Sequence, residues 1–266
     1  MSNILRVGAP LAIVTLALTS ACQKQTPPSE PAANAPAAPS SAAPAPGAPA
    51  ATGRGATGNG SITGTVKLTG TPPEMQMTKR QADPYCAKTP MKDEEVVVGP
   101  GGALKNVIVR VTKGVSGQFD PPATAAVVDQ SACMYRPRVQ GIVLGQPVQI
   151  KNSDMTLHNI HGYKGASTLF NKAEIPGQPP MVQQFKDADQ IVKLKCDVHP
   201  WMTGFVLVSS HPFFAVTSDD GSFKITGLPA GNYTVEAWHE RFGAKTAEVT
   251  VAADTPAQAA FQFAAK

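Results

Sequence analysis

The sequence predicts an all-β fold of sandwich type, and three observations predict it. From Ser61 onward, short runs of Val, Ile, Leu, Phe and Thr are separated by Gly, Pro, Asn and Asp turns, with the lengths and spacing of sandwich strands. No segment sustains the apolar period of a long helix. The 266-residue chain accommodates one large domain, or two of about 100 residues each.

The N-terminus precedes this fold. Met1 to Arg6 carries one positive charge, Val7 to Leu18 is almost wholly apolar, and Thr19, Ser20, Ala21 and Cys22 follow as small residues. This is the layout of a secretory signal, too short for a mature membrane span. Cleavage before a cysteine resembles a bacterial lipoprotein box, which implies that residues 1–21 are a signal peptide and that Cys22 is lipidated. An ordinary signal peptide with an unmodified cysteine is the alternative. Gln23 stands where Asp marks inner-membrane retention in lipoproteins, which implies a periplasmic protein anchored by lipid to the outer membrane. Residues 22–60 are dominated by Pro and Ala and cannot bury enough surface to offset ordering, so a linker is expected. In polyproline II geometry, roughly thirty residues at about 3.1 Å each reach on the order of 100 Å.

The strands expected beyond the linker run in order over Ser61 to Thr69, Glu95 to Val98, Asn106 to Val111, Ala125 to Asp129 and Ile142 to Ile150. They continue over Ile191 to Lys195, Phe205 to Val208, Phe213 to Thr217, Ser222 to Thr226, Tyr233 to Trp238 and Ala247 to Ala252. Gly165 to Ala188 is the least strand-like stretch and is expected to hold loops or a short helix.

The chemistry concentrates in Cys196, Asp197, Val198, His199, Pro200, Trp201 and Met202, which place a thiolate, an imidazole and a thioether in one turn. These are three of the four ligands of a blue-copper electron-transfer site, and His158 supplies the missing imidazole. Val192, Leu194 and Cys196 share one strand face, so the thiolate points inward while Lys193 and Lys195 face water. Val148 and Ile150 point inward in the same way before Asn152 to Asp154 turn the chain toward His158. Asn159 is placed to tie the two ligand loops together through its amide, and such ties hold and tune the ligands.

These residues resemble the cupredoxin family, most closely its amicyanin branch, which shares the Cys-x-x-His-x-x-Met loop and the upstream pattern of His158, Asn159, Ile160 and His161. The match covers about residues 125–210, within a cupredoxin-like region expected over 61–211. The resemblance implies a Greek-key β-sandwich holding one type 1 copper ion, with His158, Cys196 and His199 equatorial, Met202 axial and His161 not a ligand. It further implies that the ring edge of His199 is exposed as the electron port. Pro200 and Trp201 would then form the apolar docking patch, although core packing is an equally open reading of Trp201. Lys164, Lys172, Lys186, Lys193 and Lys195 can favour acidic partners or simply solvate a strand face. Asp197 replaces the usual Ser or Thr after the ligand cysteine, which lowers the reduction potential. Val198 replaces a proline and frees an amide toward the sulfur, which raises it. Redox protein partners are expected, an amine dehydrogenase and a c-type cytochrome by resemblance alone, and no nucleic acid.

Residues 212–266 carry a different signature, with Asp219, Asp220 and Gly221, then Gly227, Leu228, Pro229, Ala230 and Gly231 at turns. They resemble the carboxypeptidase-regulatory, transthyretin-like β-sandwich but make only about half of one. Strands from residues 61–115 have a matching texture, so a copper domain inserted into a small transthyretin-like sandwich is one arrangement consistent with both signatures. With Cys22 assigned to lipid and Cys196 to metal, Cys86 and Cys133 remain. A disulfide between them is expected in an oxidising compartment and is worth about 3 to 4 kcal/mol in the chain-entropy model. Two free buried thiols are the alternative.

Zinc is disfavoured because Met is a poor ligand for it. A single loop cysteine excludes a binuclear copper centre, and neither repeated His-x-His pairs nor a haem-attachment motif is present. With four protein ligands and no paired nucleophile and base elsewhere, an enzyme is not expected. The expected function is single-electron transfer in the periplasm; the alternative is copper storage, delivery or an interaction role without electron transfer.

Overall fold

The computed structural model describes residues 55–265. The expected signal peptide, Cys22 and most of the Pro/Ala-rich segment lie outside the described residues. Apart from two short 3₁₀ turns, the regular structure is β. The strands are β1 (Gly60–Thr69), β2 (Ile108–Lys113), β3 (Ala126–Ser131), β4 (Met134–Arg136), β5 (Val139–Val143), β6 (Val148–Asn152), β7 (His158–Lys164) and β8 (Ser167–Glu174). They continue with β9 (Met181–Gln183), β10 (Gln190–Lys195), β11 (Thr203–Ser209), β12 (Phe214–Val216), β13 (Ser222–Leu228), β14 (Gly231–His239), β15 (Gly243–Val251) and β16 (Pro256–Ala264).

Four sheets pair into two sandwiches. One holds the orders β4-β3-β6-β9 and β5-β11-β10-β7-β8, and the other holds β13-β1-β16 and β12-β2-β14-β15. Strand β1 lies parallel to β16 from Ser61↔Pro256 to Thr69↔Ala264, so the two ends of the described chain close one sheet. The chain therefore leaves the second sandwich after β2, builds β3 to β11 as the first, and returns at β12. β1 and β2 thus belong with the C-terminal strands rather than with the sandwich that carries the ligand motif.

Alternation explains the strands. In β10, Val192 and Leu194 are buried while Lys193 is exposed, and in β16 Ala259, Phe261 and Phe263 turn inward while their neighbours face water. Several strand assignments differ from the sequence expectation: β4, β7 and β16 fall outside the expected runs, and Glu95 to Val98 gives only the isolated bridge Val98↔Leu104. Residues within Gly165 to Ala188 form β8 and β9, where only Phe170 and Glu174 of β8 are buried because it is an exposed edge strand with a weak apolar signal. The run Ile142 to Ile150 is split by a turn at Gly145, whose φ of 88° suits glycine.

A third apolar cluster joins the sandwiches, with Ile108 and Phe214 on one side and Val139, Val143, Phe205 and Leu207 on the other. Phe205 meets the ring of Trp238 edge-on at 5.3 Å. Gly141 in β5 leaves room for Phe214 at the same seam, since a β-carbon there would lie 2.4 Å from the Phe214 ring. The seam also carries a buried ion pair, Arg138 Nη2 to Glu240 Oε1 at 2.6 Å. The seam lies against β5 and β11 of the five-stranded sheet, whereas, among the described residues, Tyr163 and Lys195 stay partly exposed and Lys193 exposed on the same outer face.

Candidate metal centre

Strand β10 ends on Cys196, which follows the inward face of Val192 and Leu194 and is itself 1% exposed. A tight turn then returns the chain: the Met202 amide donates to the His199 carbonyl (2.9 Å) and the Cys196 amide to the Met202 carbonyl (3.3 Å). The His199 amide donates to Cys196 Sγ at 3.4 Å. His158 opens β7, and its loop is fixed by Asn152, whose amide nitrogen donates to the carbonyls of Thr156 and Glu174, both at 2.9 Å. His158, Cys196, His199 and Met202 are all buried, and Met202 packs in the same apolar cluster as Cys196, Ile160 and Leu194.

The donors converge. Nδ1 of His158 lies 2.9 Å from Nδ1 of His199, and Cys196 Sγ lies 3.7 Å from the latter. Donors sharing one ion at bond lengths of about 2.0–2.3 Å sit roughly 3.5 Å apart, so the set has the right span. The outer nitrogens decide the tautomers. His158 Nε2 faces Asp154 Oδ2 and His199 Nε2 faces Asp83 Oδ2, each at 2.9 Å. A carboxylate can only accept, so each outer nitrogen carries the proton and each inner Nδ1 presents a lone pair. Two lone pairs at that separation repel unless a cation lies against both.

The surrounding charges favour the same reading. Burial alone would raise the Cys196 thiol, but the adjoining side chains of His158 and His199 and the backbone of Asn159 and His199 outweigh it and hold the pKa down to about 6. Burial likewise works against protonating His158, yet Asp154 and the thiolate raise it above the ordinary imidazole value. Asp83 is held down to about 2, because hydrogen bonds from Thr156, the Cys86 amide, His199 and the Tyr85 amide overcome its desolvation. A thiolate, two imidazoles oriented by carboxylates and a buried thioether form a soft donor set of the kind that suits copper better than zinc.

The structure links Asn159 and Asp197 to both ligand loops. The Asp197 amide donates to Asn159 Oδ1 at 2.6 Å, and Asn159 Nδ2 donates to Asp197 Oδ2 at 3.0 Å. Cys86 and Cys133 are joined by a disulfide with Cα atoms 5.8 Å apart. The ring edge of His199, expected at the surface, is instead covered: the residue is 2% exposed, with Asp83 against Nε2 and Cys86 Sγ 3.8 Å away. Pro200 is exposed, whereas Trp201 is half-buried, donates from Nε1 to the Cys133 carbonyl at 3.1 Å and lies under the Arg80 guanidinium.

The covering segment was not legible as part of the site. Residues 77–92 leave and rejoin at a bridge between Met77 and Lys92 and fold over both ligand loops. Arg80, 2% exposed, donates to the carbonyls of Thr89, Ala132 and Cys133, and Tyr85 Oη donates to Asp154 at 3.3 Å. Asp154 also accepts the amides of Ala132 and Cys133, both held at φ 53°, a backbone region that costs a non-glycine residue about 1–2 kcal/mol. An acidic residue in the turn before His158 was a weak signal for Asp154. Asp83 had none, since it stands 116 residues from its partner. Glu174, opposite His158 across β7 and β8, is fully buried with both carboxyl oxygens unpaired, and burial raises its pKa.

A family profile for the carboxypeptidase regulatory-like domain matches residues 206–264. No curated protein matches the chain. Among solved structures, the chain is similar to a purple cupredoxin from Nitrosopumilus maritimus at 27% identity, covering 32% of this chain and 99% of that one with a TM-score of 0.28. It is similar to amicyanin from Paracoccus versutus at 23% identity, covering 38% and 97% with a TM-score of 0.29. A copper-containing nitrite reductase from Thermus scotoductus matches at 18% identity, covering 38% of this chain and 25% of that one with a TM-score of 0.30. The structural neighbours are thus cupredoxins and copper proteins, and the C-terminal strands carry a carboxypeptidase regulatory-like domain.

Proposed function

We propose that this protein is a periplasmic, lipid-anchored type 1 copper protein that carries single electrons between redox partners. The observation that carries the reading is the convergence of two inward Nδ1 lone pairs on the Cys196 thiolate, with each outer nitrogen fixed by a carboxylate. Copper bound there supplies a one-electron couple between Cu(II) and Cu(I). The chain's part is to keep the donors still. Cys196 and His199 are locked by backbone bonds within one turn, and Asn159 fastens that turn to the His158 strand. Asp154 and Asp83 fix the ring orientations, and burial excludes water from the thiolate. Four protein donors leave no open position for substrate, which supports a carrier rather than an enzyme.

Covering of the His199 edge is the observation that favours a second reading, copper storage or delivery. Addition of Cu(II) to the purified protein separates the two. An electron carrier becomes intensely coloured with narrow copper hyperfine splitting, and Cys196→Ser abolishes the colour while circular dichroism stays that of the folded protein. A colourless protein that binds only Cu(I) supports storage, and colour surviving in Cys196→Ser contradicts the ligand assignment.

A further inference from the structure

Two surfaces approach the ligand residues, and they are not equivalent. Over His199, the segment 77–92 is stapled by the Cys86–Cys133 disulfide and pinned by Arg80, so the imidazole edge and the Trp201 ring are both occupied. On the opposite side, the residue covalently next to the thiolate is Asp197, whose side chain is 48% exposed. Asp197 Oδ2 accepts from His161 Nδ1 at 3.0 Å, and the His161 ring stacks on Tyr163 with centroids 4.0 Å apart. Asn171 donates to the same carboxylate at 2.9 Å and fixes it. The peptide link between Cys196 and Asp197 with their two side chains, then one hydrogen bond and one ring stack, therefore connect the thiolate to the surface.

Among the described residues, that surface is the part of the five-stranded sheet's outer face that lies away from the seam. Strand register sets Lys193 opposite Tyr163 and Lys195 opposite His161, so both ammonium groups share the outward face of the stack. The one acidic member of this group, Asp197, keeps its charge while it accepts from Asn159, Asn171 and His161, so the two lysines outnumber it and leave the face net positive. An aromatic patch beside two lysines on a flat sheet face fits a partner that presents carboxylates.

We propose that electrons pass through Asp197, His161 and Tyr163, and that the open face of the sheet flanked by Lys193 and Lys195 docks an acidic redox protein, while the His199 edge stays sealed. This route rests on the copper reading above, whereas the docking face stands on geometry and charge. With hexacyanoferrate(III) as acceptor, one electron leaves the reduced copper-loaded protein, the acceptor becomes hexacyanoferrate(II), and no bond or proton changes.

Two experiments test the proposal. In the metal-free protein, titration with the redox-inert paramagnetic anion hexacyanochromate(III) is expected to broaden the amide signals of His161, Tyr163, Lys193 and Lys195. Broadening centred on Lys88 of the covering segment, or on Val198 and Trp201, overturns the docking face. In the copper-loaded protein, stopped-flow oxidation by hexacyanoferrate(III) at low ionic strength is expected to slow about tenfold in Lys193→Glu/Lys195→Glu. That difference collapses in about 1 M salt, where the Debye length is ~3 Å. Tyr163→Leu is expected to slow exchange several-fold at both ionic strengths with an unchanged visible spectrum and potential. Rates unaffected by either variant but lowered by Lys88→Glu place the exit at His199 and overturn the route. Failure of the copper reading shows itself separately, as a protein that never colours with Cu(II), and leaves the titration of the metal-free protein to decide the surface.

Discussion

Single side chains of this protein are legible in the sequence where their partners are close along the chain, or where a shared motif joins distant ones, as it does for His158 and Asn159. Cys196, His199 and Met202 lie within one turn, and alternation along β10 points the thiolate inward, so the sequence was enough to find them. Asp83 and Arg80 were invisible because their role depends on a loop crossing from another part of the chain. His239, left unassigned by the sequence, illustrates a different residue-scale effect. It is 1% exposed, stacks on Phe242 at 4.9 Å, accepts the Arg241 amide on Nδ1 and leaves Nε2 unpaired. Burial first, then the positive charges of Arg138 and Arg241, lower its pKa to about 4. The unfolded chain therefore binds a proton between about pH 6.5 and pH 4 that the folded chain refuses, so stability is present above this window and is lost as pH falls through it. We expect the metal-free wild type to lose up to about 3 kcal/mol relative to His239→Gln across that range. Urea denaturation at several pH values checks this, and a pH-independent difference between the two proteins contradicts it.

At the scale of elements, period-2 burial made most strands legible, and the exceptions have causes. Strand β16 alternates Ala259, Phe261 and Phe263 inward, but its alanine-rich ends masked a pattern present in the sequence. Edge strand β8 buries only two residues, so it reads as loop until its pairing from His158↔Glu174 to Lys164↔Ser167 is known. The covering segment 77–92 has little regular structure, and what fixes it is tertiary: Arg80, Asp83 and the disulfide. That disulfide joins residues 47 apart in sequence, for which chain entropy gives about 4 kcal/mol. Reduction is expected to free the segment and open the bond after the exposed Lys88 to trypsin, while the strands of the sandwich that carries the candidate site stay resistant. Mass spectrometry of timed digests with and without reductant reads this directly. Equal resistance at Lys88 in both states contradicts the stapling role.

On the scale of the whole molecule, the two sandwiches are interleaved in sequence and packed in space. The second sandwich is closed by the first and last strands, β1 and β16, and emits both the covering segment and the ligand-bearing strands between them. Its contact with the five-stranded sheet, through Phe205, Phe214, Trp238 and the Arg138–Glu240 pair, leaves the Tyr163 face as the open approach to the thiolate. The two textures of strand and turn were legible in the sequence, as was the match of strands from residues 61–115 to the C-terminal segment, but the strand order was not, because pairing over nearly two hundred residues leaves no local signal. The function proposed above is a rigid site that exchanges one electron. Spectroelectrochemical titration of the copper-reconstituted chain tests that most directly: the account predicts a reversible one-electron transition in which the visible band vanishes on reduction and returns fully on oxidation. Copper that is lost on cycling, or that is held only as colourless Cu(I) at every potential, contradicts it.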